Sequence, residues 1–308
     1  MLKARRAAVC AAAMLAAVPC AAQTDPAPAS SETGDTIVVT GDSEPPTQRE
    51  VFDQALEVSR VERGRMYEEA LARLTAPLCA EVAGLDDALA DEMLARIRAN
   101  AEQLGLRLAR GRCAPNLLVV FVDDGEELLT RLADRHPRMF SLVEDSERGE
   151  ILADAAPVRV WNVVETKWAS GAPLPYRHGK PELPAVRGRA NQMLLPTRRD
   201  INLALIVYDR EAVLGMTVVQ LADYATMRGL AYTRPASGAQ PMTTILALFD
   251  DRDIVDPVDR QPAELTSFDR GYLRSVYFWR PDRSVPAVGR LLGVRRRAGD
   301  TADGSLEP

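Results

Sequence analysis

The chain has 308 residues, 46% of them hydrophobic and 27% charged, with 38 Lys and Arg against 44 Asp and Glu. That is a globular composition, long enough for one large domain or two small ones. A net charge of −6 argues against a nucleic-acid binder, which carries a basic face.

Residues 1–22 have the three parts of a secretory signal. Lys3, Arg5 and Arg6 form a basic start, Ala7 to Val18 an apolar run, and Cys20-Ala21-Ala22 a small-residue cleavage site before Gln23. The run is too short to span a bilayer, and no later segment is apolar and long enough to anchor the chain. Lipidation would use Cys20, but Pro19 fits that chemistry poorly. Cleavage near Ala22 removes three cations, takes the net charge from −6 to about −9, and leaves a periplasmic or secreted protein.

Export bears on the cysteines. Cys79 and Cys113 remain in the mature chain, and an oxidising compartment favours a disulfide between them. Such a bridge is worth about 3–4 kcal/mol on the chain-entropy model. The rival, a reactive thiol, needs a histidine partner, and neither His136 nor His178 lies near a cysteine in sequence.

Residues 23–48 read as a disordered linker rich in Pro, Ser, Thr, Gly and acids. One island, "DTIVVTG" (35–41), resembles the short periplasmic segments near the start of outer-membrane receptors that engage an energy-transducing partner. That resemblance implies an accessory role at such a receptor; a short edge strand is the plainer alternative.

Residues 49–285 read as one globular domain, with a flexible tail at 286–308. From Glu50 to Leu74 the pattern is helical, led by Val51, Phe52, Ala55 and Leu56 and continued by Met66, Tyr67, Ala70, Leu71 and Leu74. Asp86 to Leu104 predicts a second helix with Leu89, Met93, Ile97, Ala101 and Leu104 on one stripe. "NLLVVFV" (116–122) predicts a strand buried on both faces. Asp123 and Asp124 follow it, as caps of the next helix or as catalytic carboxylates.

"VRVWNVVE" (158–165) predicts another strand, residues 169–200 a long loop or hairpin excursion, and "INLALIVYD" (201–209) a third strand, apolar throughout. "MTVVQLADYATMRGLA" (216–231) then predicts an amphipathic helix. Leu214, Val218, Leu221, Ala222 and Ala225 form its apolar face, and Gly229 its C-terminal stop. Strands alternating with helices predict a mixed α/β (α+β) fold, a twisted sheet with packed helices.

Past this helix come "TTILALF" (243–249) and "LTSFDRGYLRSVY" (265–277), where Thr266 and Asp269 form a capping box. The order from residue 200 to 280 resembles the C-terminal half of a metzincin-type zinc protease. Those enzymes run from a strand to an HExxHxxG helix, a turn around a Met, and a helix close to LTxxDxxxLxxLY. The segment is similar too to uncharacterised secreted bacterial proteins with a "QLADYA" helix and an "LTxxD" ending.

Carried over residue by residue, the two zinc histidines fall on Ala222 and Thr226, and the general-base glutamate on Asp223. A zinc site needs three N, S or O ligands, and Ala222 offers none. The resemblance therefore implies a metalloprotease-like fold without zinc or any other cofactor. It would act as a non-catalytic module binding a protein or an envelope component. Asp223, Tyr224 and Thr226 either line a remnant cleft, or Asp223 and Tyr224 are polar residues on the helix's outer face.

Other chemistries are sparse. No GxSxG, P-loop or GxGxxG is present. His136 ends a predicted helix, where a cation suits the dipole. His178 sits among Arg177, Lys180, Arg187 and Arg189, a segment suited to an anionic glycan or lipid headgroup, or simply a solvated loop. "DDRDIVDPVD" (250–259) lacks the glycine turn of a calcium loop. A hydrolase of unrecognised type built around Asp223, Tyr224 and His178 is the alternative.

Overall fold

The computed structural model describes residues 46–137, 148–149, 151–152, 157–177, 180–184, 194–236, 243–250 and 261–286. The expected signal at residues 1–22, the "DTIVVTG" island, His178, the acidic run after Asp250 and the tail from residue 287 lie outside them.

The first helix, α1 (Gln48–Val58), opens with a capping box. Thr47 Oγ1 accepts from Glu50 N at 3.2 Å, and Glu50 Oε2 accepts from Thr47 N at 2.7 Å. The helix ends far short of the predicted Leu74. Ser59 turns extended and pairs with Thr233, so the second half of that apolar pattern serves other elements. A 3-10 turn at Arg63–Arg65 follows, and Leu74 lies on a two-residue strand, β1 (Arg73–Leu74).

Next come β2 (Ala80–Ala83), α2 (Asp87–Gln103), β3 (Leu117–Val122) and α3 (Gly125–Arg135). Asp86 caps α2 by accepting from Leu89 N at 3.2 Å, and Asp124 caps α3 by accepting from Glu127 N at 2.8 Å. Asp124 is therefore spent on helix initiation. Cys79 and Cys113 form a disulfide that joins the residue before β2 to the loop before β3.

The remaining strands are β4 (Val158–Trp168), the short hairpin pair β5 (Tyr176–Arg177) and β6 (Lys180–Pro181), and β7 (Thr197–Asp209). Both long strands exceed the predicted bounds, by three residues at the end of β4 and four at the start of β7. Together they form an extended antiparallel ladder through polar sequence. Two helices complete the set, α4 (Val218–Leu230) and α5 (Ser267–Phe278).

Five strands build one mixed sheet. β7 is central. On one edge it pairs antiparallel with β4 from Val158↔Tyr208 to Trp168↔Thr197. The register shifts between Val163 and Val164, where Asn202 is the extra residue. The other edge carries β3, parallel from Leu117↔Ala204 to Val122↔Asp209, and β1 at Arg73↔Asp200. β2 lies parallel outside β3.

Side chains alternate between two cores. Leu117, Val119 and Phe121 of β3 and Ala204, Ile206 and Tyr208 of β7 join α1, α2, α4 and α5 in the larger core. Leu205 and Val207 of β7 and Trp161 of β4 pack with Leu129 of α3 and Ile151 on the opposite face. The apolar runs of β3 and β7 are thus buried from both sides, as fits a sheet covered on two faces. Among the described residues, no helix is long and apolar enough to cross a membrane.

Candidate functional site

The helix α4 is the natural place to look. Thr217 and Gln220 form its capping box, with Gln220 N donating to Thr217 Oγ1 at 3.2 Å and Thr217 N donating to Gln220 Oε1 at 2.9 Å. Every residue from Leu221 to Leu230 is buried. The helix touches α2, β1, β7, α5 and the 3-10 turn at Ile245–Ala247. It is a central helix rather than a half-solvated one.

Two expectations change here. Leu214 precedes the helix and is 77% exposed, so it is no part of the apolar face. Gly229 is not a left-handed stop; it lies inside the helix. A Cβ there would come within 2.3 Å of Leu117 Cδ1 on β3. The close contact is with the tip of the Leu117 side chain, so any larger residue at 229 would have to displace that leucine.

Asp223 and Tyr224 are not on an outer face: both are fully buried. Arg96 of α2 grips the Asp223 carboxylate with two prongs, Nε donating to Oδ1 at 2.7 Å and Nη2 to Oδ2 at 2.6 Å. Asn100 Nδ2 donates to Oδ1 at 2.7 Å, and Leu265 N donates to Oδ2 at 2.7 Å. Four donors surround it, as a buried carboxylate requires. The Arg96 guanidinium is held more firmly protonated by Asp223, against the opposing effect of partial burial. Glu264 adds a rim contact to Arg96 at 3.0 Å. Glu264 itself is held below the ordinary carboxylate range by Arg270 and Arg96.

Thr226 is similarly engaged. Its Oγ1 donates to Ala222 O at 2.8 Å and accepts from Asn100 Nδ2 at 3.1 Å. Asn100 therefore links Asp223 and Thr226, while the methyl group of Ala222 is fully buried. Asp223 and Thr226 thus form a polar seam with Arg96 and Asn100 of α2, and Ala222 is buried beside them in sequence.

Tyr224 belongs to a different surface of the helix. Its ring meets Phe249 edge-on at 5.0 Å and tilts against Tyr208 at 6.4 Å, and Tyr208 stacks on Phe121 at 5.0 Å. Tyr208 donates to Leu221 O at 2.8 Å, and burial pushes its phenol well up. Tyr224 Oη accepts from Arg228 Nη1 at 2.8 Å. Asn162 of β4 donates through Nδ2 to Arg228 O at 3.2 Å.

The structure thus brings Asp223 and Thr226 together, sets Tyr224 apart from both, and leaves His178 outside the described residues. Arg96, Asn100, Arg228 and Asn162 complete the arrangement and were not predicted. Asn100 had a sequence signal: it lies seven residues after Met93, two turns along, in line with the apolar stripe of α2. His136 stands at the C-cap of α3, as expected of a helix end.

The carboxyl ends of the parallel strands, where α/β sheets commonly bind ligands, are self-neutralised. Asp209 accepts from Gly125 N and from Arg159 Nη1, each at 2.9 Å. Arg210 bridges Asp123 and Gly84 O, each at 2.8 Å. Among the described residues, no three His, Cys, Asp or Glu side chains are grouped to hold a metal ion. Neither family models, curated proteins nor solved structures provide a match to this chain.

Proposed function

We propose that this is an exported, disulfide-stapled binding protein whose α4 region resembles a metzincin catalytic helix in layout but does no hydrolytic work. The observation that carries this is the state of Asp223. A general base needs a lone pair free for a proton and reach to a water. Asp223 has four donors on its two oxygens and no solvent exposure.

Its neighbours add no other catalytic group. Ala222 has no ligating atom, and the Thr226 hydroxyl is held by Ala222 O and Asn100. The chain order supports the metzincin-like half: β7, then α4, then a 3-10 turn, then α5 with Thr266 and Asp269 in a capping box. The disulfide is compatible with an extracellular or periplasmic home.

The test is to incubate the purified mature chain with a library of unfolded peptides and weigh what is retained. Peptides or envelope components recovered intact support the proposal. Fragments with new termini, lost on Asp223→Asn, contradict it.

A further inference from the structure

The guanidinium of Arg228 is buried and lacks a carboxylate partner among the described residues. Four other interior or half-buried arginines meet a carboxylate. Arg96 meets Asp223, Arg159 meets Asp209, Arg198 meets Asp200 and Arg199 meets Glu69. Arg73 donates to two backbone carbonyls, those of Val276 and Trp279. Arg228 is 3% exposed, and among the described residues its side chain donates to the phenol of Tyr224, at 2.8 Å.

The geometry says which edge is open. Nη1 is engaged by Tyr224, while Nε is buried without an acceptor. Nε and the adjacent Nη2 make the side-on fork of a guanidinium, whose spacing matches two oxygens of a carboxylate or phosphate. Asn162 is anchored to the same turn through Nδ2, and its Oδ1 is also buried without a donor. Asn162 thus ties β4 to the backbone of α4 at Arg228, and the unmatched part of the guanidinium is its Nε edge.

Leaving such groups unmatched is costly, and an unpaired buried charge most of all.

We propose that Arg228, held at Nη1 by Tyr224, is the anchor for a compact oxyanion, a carboxylate or phosphate group at the end of a ligand. The oxyanion accepts from Nε and Nη2. Low exposure restricts the occupant to a small terminal group. This inference deepens the binding proposal above and draws its meaning from it, but the two fail separately. Peptide cleavage would overturn the first and leave the anion site standing; absence of anion binding would do the reverse.

The experiment uses the full mature chain in buffer free of carboxylates and phosphate, at fixed ionic strength. Acetate, succinate and inorganic phosphate are titrated separately, with binding read by calorimetry and stability by thermal melting. The expected result is saturable binding of at least one of them. The melting temperature should rise by about 5–10 °C at a hundredfold excess over Kd.

Arg228→Met should abolish that response. Arg228→Lys, which keeps the charge but not the fork, should weaken binding at least tenfold. Tyr224→Phe releases Nη1 but keeps the open edge, and should weaken binding less than Arg228→Lys. Acetate and succinate acting alone identify a carboxylate ligand; phosphate acting alone identifies a phosphate ligand. No saturable binding of any probe to the wild-type chain overturns the proposal. So does an equal rise in Arg228→Met, which marks a non-specific salt effect.

Discussion

Arg96 and Asp223 lock α2 to α4 through two parallel hydrogen bonds of 2.7 and 2.6 Å, with the carboxylate fully buried and the guanidinium partly so. Removing either partner strands the other. Arg96→Ala and Asp223→Ala should each cost about 3–5 kcal/mol in urea denaturation. The apolar double replacement Arg96→Met, Asp223→Leu should cost less than the sum of the two single truncations. Additive losses would mean the pair is not coupled.

The disulfide closes a sequence separation of 34 residues around α2. Replacing both Cys79 and Cys113 by serine should lower stability by about 4 kcal/mol. Mass spectrometry of the native protein should show the two joined. Two free thiols there would refute both the pairing and the exported setting it supports.

Gly229→Ala is instructive because local preference and packing disagree. Alanine favours a helix interior by about 1 kcal/mol over glycine. Yet the added methyl meets Leu117 Cδ1, and overpacking of this kind costs about 1–3 kcal/mol. A net loss of stability is expected, partly recovered by Leu117→Val. A stabilised Gly229→Ala would show that Leu117 yields freely.

Much of the fold was legible because its signals are local. The apolar runs at 116–122 and 201–209, the Thr266–Asp269 capping box and the Asp124 cap each depend on a few adjacent residues, and each is present. What failed depends on partners distant in sequence. The apolar pattern of 50–74 does not reveal that Ser59 breaks away to pair with Thr233. Gly229 gives no sign that Leu117 lies beneath it. Asp223 reads as a surface residue until Arg96 arrives from 127 positions away. The orphaned edge of Arg228 is invisible in sequence, since it is defined by an absent partner.

Asp269 makes a pH prediction. It accepts from Thr244 Oγ1 at 2.6 Å, Ile245 N at 2.8 Å and Thr266 N at 2.9 Å. Burial nevertheless pushes its carboxyl above the ordinary value, with those hydrogen bonds opposing the shift. A raised folded value means that the native state holds the proton more tightly than the unfolded chain. Its titration-linked stability is therefore full below the ordinary carboxylate range and is lost as pH rises through the raised value. The stability of the wild type relative to Asp269→Asn, followed by urea denaturation across pH, should fall over that interval. A difference that grows with pH would reverse the assignment.

The most direct test of the central claim is a zinc titration of chelator-stripped protein, with peptide hydrolysis assayed on the same sample. With Asp223 held by Arg96 and Asn100, Thr226 bonded to Asn100 and Ala222 lacking a ligating atom, we predict no stoichiometric, tight zinc binding and no cleavage. One zinc ion held tightly per chain, with hydrolysis that disappears on stripping and returns on reloading, would contradict the account.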